Sequence, residues 1–274
     1  MPISTKYKNK LYSYLFKEEN KNDFIKDIYN TKYNFNKTSY SFYPKLLNIY
    51  GDNGNIITLK KRCEWRGIEV DVEEINIGDS LKEHDIYFIG GGQDLQQIEV
   101  SKELQKQKEF LTQERDRGAV FLGICGGYQL MGHYYQPFEG DRLMGISLLD
   151  VYSEAGSKRF IGNVTVKTDL VTPNTLVGFE NHSGLTYIKG DTKPIGTVII
   201  GNGNNGSDKT EGARYKNVFG TYLHGSFLPK NPHFADYLIK LALNKGFFHD
   251  LPDLPIVNDD IEISAHDSLV GKKY

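Results

Sequence analysis

The chain has 274 residues, with 33 lysines and arginines against 35 acidic residues and two cysteines. That length suits one generous α/β domain, or one domain plus an extension, with a core that needs no staples. A formal net charge of −2 gives no electrostatic case for nucleic acid or an anionic membrane surface. No stretch approaches the roughly 18 consecutive apolar residues of a membrane helix, and the N-terminus lacks a signal-peptide core. Two thiols are too few for a disulfide framework, so a cytoplasmic, reducing location is expected.

Residues 1–40 carry eight lysines against four acidic residues, with many asparagines and tyrosines. They read as a basic N-terminal extension, either disordered or docked on a partner chain. A domain is expected over 41–250 and a polar tail over 251–274. Leu46–Tyr50 reads as a first strand. The turn Gly51-Asp52-Asn53-Gly54-Asn55 then leads into a helix over Ile56–Arg66, stopped by Gly67. Ile68–Ile75 alternates apolar and acidic residues like a half-buried strand. Asp85–Ile89 is a short apolar run ended by Gly90-Gly91-Gly92. Gln96–Asp116 reads as a long polar helix, and Ala119–Ile124 as a buried strand. This alternation implies right-handed βαβ crossovers and a mostly parallel sheet flanked by helices.

Beyond Gly140 the texture turns β-rich, with strands expected over Leu143–Tyr152, Arg159–Val166, Val177–Glu180, Thr197–Ile200 and Asn217–Leu223. Gly201–Gly206 has the spacing of a phosphate loop, but Ser207 stands where lysine is required, so it reads as a hairpin tip. The last helix is expected over Pro232–Lys245.

The sharpest local signal is Phe121-Leu122-Gly123-Ile124-Cys125-Gly126-Gly127-Tyr128-Gln129-Leu130. A buried strand runs into Cys125 and a helix starts directly after it, with glycines that permit a sharp turn. This is the logic of a nucleophile elbow with sulfur in place of oxygen. The helix start presents free N–H groups that favour a thiolate, and the Gly126 amide points where an oxyanion would develop. Cys63 lies within a helix and reads as structural. A thiolate needs a base, and His224 closes the apolar strand Phe219–Leu223. A parallel sheet gathers such strand ends on one edge, so His224 can meet Cys125 across 99 residues of sequence. His182, in Phe179-Glu180-Asn181-His182, is the rival base. His84, His133, His233, His249 and His266 lie in polar, surface-like contexts. The Gly90–Gly92 turn could bind phosphate, line an oxyanion hole, or merely turn.

The strings Gly123-Ile124-Cys125-Gly126-Gly127-Tyr128-Gln129, Gly90-Gly91-Gly92-Gln93-Asp94 and Thr221-Tyr222-Leu223-His224-Gly225 resemble those of the class I glutamine amidotransferases. Within these, the chain is similar to the cobyric-acid-synthase-like branch, and to the glutaminase subunits of lipid II isoglutaminyl synthases. Further support comes from Tyr50–Ile56, Gly178–His182, Gly201–Asn205 and Tyr215-Lys216-Asn217. The resemblance covers roughly residues 43–250 and implies a flavodoxin-like fold. It implies Cys125 as nucleophile and His224 as general base, with Gly91, Gly92 and Gly126 as oxyanion donors. Gln129, Arg159, Asn181 and His182 would bind the substrate, L-glutamine. No metal or cofactor is implied in this chain. A Mur-ligase-like partner of the MurT type would hold ATP and Mg²⁺ and handle the lipid-linked acceptor, amidating the D-glutamate of the lipid II stem peptide. The complex would bring the chain to the inner membrane face. Many relatives carry His-x-Glu, whereas His224-Gly225-Ser226 lacks the carboxylate; the resemblance implies that the partner supplies it. Ser183-Gly184-Leu185-Thr186 also departs from the Gly-Arg-Thr that relatives often carry. Other readings are a cobyrinate-type amidotransferase, a stand-alone γ-glutamyl cysteine hydrolase, and a non-catalytic binding subunit.

Overall fold

The computed structural model describes residues 37–42, 52–92, 94–244 and 253–273, with the backbone alone for 37–42 and 94–96. Two sheets organise the chain. The first has the order β11-β12-β4-β3-β1-β2, built from β1 (Lys37–Phe42), β2 (Val70–Ile75), β3 (Ile86–Ile89), β4 (Val120–Ile124), β11 (Ala213–Tyr215) and β12 (Val218–Thr221). All neighbours are parallel except the hairpin of β11 with β12. The crossovers are α1 (Asn53–Glu64) and α2 (Asp94–Arg117), with α3 (Gly126–Met131) following β4 and α4 (Pro232–Asn244) following β12.

Strands β3 and β4 are buried along their whole length, as parallel strands covered on both faces must be. Phe88, Leu122 and Ile124 pack with Leu59 of α1 and Phe234 and Leu238 of α4 on one face. Tyr87, Ile89 and Phe121 pack with Leu104 and Leu111 of α2 and Leu130 of α3 on the other. The register decides where the site forms. Ile89 pairs with Gly123, and Thr221 pairs with Ile124. Strands β3, β4 and β12 therefore end level with one another, and the chain leaves each at Gly90, Cys125 and Tyr222.

The second sheet has the order β10-β9-β7-β5-β6, with β8 paired to β7. It comprises β5 (Tyr134–Gln136), β6 (Leu143–Met144), β7 (Val151–Lys167), β8 (Thr175–Ile188), β9 (Gly196–Ile200) and β10 (Thr210–Glu211). The long antiparallel pair β7 and β8 shifts register between Ala155 and Phe160. β9 and β10 pair antiparallel across the 201–206 loop, the hairpin expected there.

Three expectations are corrected. Among the described residues a sheet strand already runs from Lys37, so the last residues of the supposed extension pair with Val70–Ile75 and Ile86–Ile89. The expected Leu143–Tyr152 strand is interrupted, because Gly145, Ile146 and Ser147 turn back to bond the carbonyls of His133, Leu130 and Gly132. The supposed polar tail carries a helix, α5 (Asp260–Leu269). Arg62, only 1% exposed, grips Asp259 at 2.5 and 2.8 Å and Asp236 at 2.7 and 2.8 Å. The supposed strand Leu46–Tyr50 and His249 lie outside the described residues. Among the described residues, no helix is long and apolar enough to cross a membrane.

Candidate active site

Strand β4 delivers Cys125 at φ 50° and ψ −103°, a strained conformation for any side chain but glycine. The turn is pinned on both sides: the Cys125 N–H donates to Thr221 O at 2.8 Å, and the Gln129 N–H donates to Cys125 O at 3.0 Å. The thiol-bearing residue is half-buried. Tight backbone contacts need glycine at the next two positions. A methyl on Gly126 would lie 3.1 Å from Gly92 N, and one on Gly127 would lie 2.8 Å from Ile89 C.

His224 follows β12 and is held by its own backbone, donating to Phe179 O at 2.8 Å. It is 1% exposed. Burial pushes its imidazole down to about 3, and the neighbouring His182, Lys230 and Arg159 lower it further. Gly91 is where the parts meet. The point at which a side chain would begin on Gly91 lies 3.5 Å from Cys125 Cβ, 3.4 Å from His224 Cε1 and 3.2 Å from Asp52 Oδ2. Cys125 Cβ and His224 Cε1 thus both lie within 3.5 Å of one point beside Gly91, which makes the two side chains neighbours.

The second candidate base is placed differently. His182 is buried, its ring stacked on Tyr222 at 3.6 Å with only 4° between the planes. Its Nδ1 lies 2.8 Å from Gly184 O, and burial lowers its pKa to about 4. A nitrogen that donates to a carbonyl leaves Nε2 as an acceptor, and His182 Nε2 meets no hydrogen-bond partner among the described residues. Gln129 is buried on α3 and donates from Nε2 to the Tyr222 hydroxyl at 3.1 Å. The same hydroxyl lies 2.7 Å from Thr186 Oγ, which lies 2.6 Å from Ser153 Oγ. Arg159 is exposed on β7 and donates to Asn181 Oδ1 at 2.6 Å. Cys125, His224, Gln129 and His182 are thereby gathered at one edge, with Arg159 and Asn181 beside it.

Gly91, Gly92 and Gly126 also sit together, but Gly91 is engaged. Its N–H donates to Asp52 Oδ2 at 2.6 Å, which leaves Gly92 and Gly126 as the amides beside the thiol. Asp52 was legible only as a turn and cap residue, yet its side chain makes no cap hydrogen bond. Tyr222 was likewise unassigned, since nothing in its neighbours announces the stack with His182. The Gly/Asn loop is fixed by Glu180, which accepts the N–H groups of Asn202 and Gly203 at 3.0 Å. Cys63 is buried and its thiol is pushed up to about 12, as a structural cysteine would be. The expectation that His84 and His266 lie at the surface is wrong: both are buried. His266 reaches Thr175 Oγ and Lys230 O, each at 2.9 Å, because α5 covers that face. Among the described residues, no group of three metal-ligating side chains is placed to hold an ion.

A model of the CobB/CobQ-like glutamine amidotransferase domain matches residues 40–232. The chain belongs to the CobB/CobQ-like glutamine amidotransferase family. It is 43% identical to the GatD subunit of lipid II isoglutaminyl synthase (glutamine-hydrolyzing) from Staphylococcus aureus, across 86% of this chain and 95% of that protein. The Streptococcus pneumoniae protein of the same name is 40% identical, across 79% and 84%. A probable cobyric acid synthase from Methanococcus maripaludis is 36% identical, but over only 52% of this chain and 29% of that protein. Among solved structures, PurLQS from Thermotoga maritima superposes with a TM-score of 0.56 at 15% identity, covering 76% of this chain and 98% of that one. A glutamine amidotransferase from the same organism gives 0.50 at 15% identity, over 86% and 94%. These matches place the fold among the glutamine amidotransferases, as the sequence implied.

Proposed function

We propose that this chain is the glutaminase subunit of a lipid II isoglutaminyl synthase, with Cys125 as nucleophile and His224 as base. The observation that carries the chemistry is the strained Cys125 elbow with His224 as its neighbour beside Gly91. Glutamine binds with its side-chain amide at the thiol, held by Gln129 and the Arg159–Asn181 pair, with His182 behind them. Neutral His224 takes the thiol proton as sulfur bonds to the amide carbon. The carbonyl oxygen becomes an oxyanion between the Gly92 and Gly126 amides. His224 returns the proton to nitrogen, the C–N bond breaks, and ammonia leaves. Water, deprotonated by His224, then cleaves the thioester and frees glutamate and the thiol.

The destination of the ammonia is supported by the two relatives, both named as subunits of a lipid II isoglutaminyl synthase. A Mur-ligase-like partner of the MurT type uses ATP and Mg²⁺ to activate the acceptor carboxylate. It also supplies the acid that orients His224, and it brings the chain to the inner membrane face. Pull-down from the native host should return such a chain. Return of a corrin-amidating partner instead would replace the acceptor and keep the chemistry.

The test of the site is ammonia release by Cys125→Ala, which should vanish while circular dichroism stays unchanged. His224→Ala should be nearly as severe and Cys63→Ser mild. A Cys125→Ala protein with normal turnover sinks the assignment. An inactive His182→Ala beside an active His224→Ala would move the base to His182.

A further inference from the structure

Asp52 stands at the N-cap of α1, is fully buried, and does not cap the helix. Confining a carboxylate without a cation is costly, so its contacts have to account for its place. Oδ2 accepts the Gly91 N–H at 2.6 Å, a short hydrogen bond that favours the ionised form, while burial raises the carboxyl to about 7. Oδ1 is buried and finds no hydrogen-bond partner among the described residues. The loop carrying Asp52 is itself fixed against the loop after the base. Asn55 Oδ1 accepts the Leu228 N–H at 2.8 Å, and a side chain on Gly54 would lie 2.8 Å from Ser226 Cβ. The start of α1 therefore touches the glycine turn through Asp52, Ser226 through Gly54, and Leu228 through Asn55.

The glycine turn has little to hold it otherwise. Gly91 and Gly92 have no side chains, and glycine backbones sample more conformations than any other. An oxyanion donor is effective only if its direction is fixed before the charge develops. Gly92 N lies 3.1 Å from where a side chain would begin on Gly126, so the two amides are neighbours. Gln97 adds a second tie, donating to Gly92 O at 2.9 Å. With the Gly91 N–H fastened to Asp52 and the Gly92 carbonyl fastened to Gln97, the Gly92 N–H is the group left to face the reacting carbonyl.

We infer that Asp52 is a positioning residue for the glutaminase step: by accepting the Gly91 N–H it sets the glycine turn so that the Gly92 N–H, beside that of Gly126, meets the oxyanion. This rests on the glutaminase reading above. Gly91 then acts as the anchor of the oxyanion hole, and Gly92 as its donor.

The experiment uses the full-length chain expressed in its own host, so that any partner co-purifies. Wild type is assayed first for ammonia release and for labelling of Cys125 by a thiol-reactive glutamine analogue. Failure of both sinks the glutaminase reading before any Asp52 variant is measured. Asp52→Ala should then lower kcat by about 10²–10³, as loss of an oxyanion donor does, with KM changed less than about threefold. Asp52→Asn, which keeps an acceptor oxygen, should hold kcat within about tenfold of wild type. Alkylation of Cys125 by iodoacetamide, which forms no oxyanion, should proceed at the wild-type rate in both. The inference is overturned if Asp52→Ala keeps kcat within about twofold, if the loss falls on KM alone, or if alkylation slows in step with kcat. Should Asp52→Ala fail to fold, Asp52→Asn decides: folded and active supports the inference, while folded and inactive, or unfolded, overturns it.

Discussion

Gly127→Ala tests whether the elbow and the glycine turn form one rigid assembly. The new methyl would overlap the Ile89 carbonyl oxygen and lie 2.8 Å from Ile89 C and 2.9 Å from Gly90 O. All three are backbone atoms at the end of β3, so no side chain can swing aside. Carbon approaches a carbonyl oxygen to about 3.3 Å at closest, so α3 must back away by roughly 1 Å. Cys125 and Gly126 move with it, because they form the turn into that helix. Overpacking of this kind costs about 1–3 kcal/mol, and each kcal/mol lowers Tm by roughly 2–4 °C in a domain of this size. A displacement of about 1 Å between reacting groups costs on the order of 10² in rate. The expected outcome is a variant that folds, melts several degrees lower and loses about 10² in kcat for ammonia release. Steady-state kinetics and thermal circular dichroism on one preparation read both quantities. A lowered Tm with kcat untouched would show that the elbow can shift without consequence, and the geometric account would fall.

A milder steric change is expected at Gly184, where a methyl would overlap Gln129 Nε2 and lie 3.0 Å from the Tyr222 hydroxyl. Those side-chain ends can yield, so Gly184→Ala should leave Tm near wild type. It should raise KM for glutamine roughly three- to tenfold as Gln129 leaves its hydrogen bond; an unchanged KM refutes a substrate role for Gln129. Glu211 is buried, accepts from Thr221 Oγ at 2.6 Å and Tyr222 N at 2.8 Å, and is pushed up to about 7 by desolvation. Its folded pKa lies above its unfolded one, so its stabilising contribution is present below about pH 4.5 and is lost as pH rises from there through about 7. Glu211→Gln should therefore differ from wild type by a constant amount below about pH 4 and gain on it by on the order of 3 kcal/mol between there and about pH 8. A Tm difference that does not vary with pH refutes the assignment of that burial penalty.

What was legible in the sequence follows from how each signal arises. Ile86–Ile89 and Val120–Ile124 are buried on both faces, so they read as unbroken apolar runs, and the strand–cysteine–helix passage needs no partner to be recognised. The position of His224 beside Cys125 is legible because a parallel sheet collects strand ends on one edge. Asp52 was missed because its role exists only once β3 brings Gly91 beside it. The Tyr222–His182 stack was missed because β8 and β12 lie far apart in sequence. α5 was missed because its fully buried residue is His266, while Ile261 is 82% exposed; an apolar periodicity search looks for the reverse.

The burial of His224 bears on why such a chain would need a second subunit. A base held near 3 is neutral at working pH and free to accept a proton, which favours its first task. Accepting the thiol proton, however, creates an imidazolium in a pocket where desolvation and the charges of Lys230 and Arg159 all oppose it. No carboxylate stands in the two positions after His224 to offset that cost, since Gly225 and Ser226 follow it. A partner carboxylate within about 4–6 Å would raise the His224 pKa and stabilise the imidazolium formed during attack. The partner should then raise kcat and also shift the acid limb of the kcat–pH profile to higher pH, because His224 titrates closer to its ordinary value. If the partner raises kcat while that limb stays fixed, activation comes from positioning alone, and the electrostatic explanation fails.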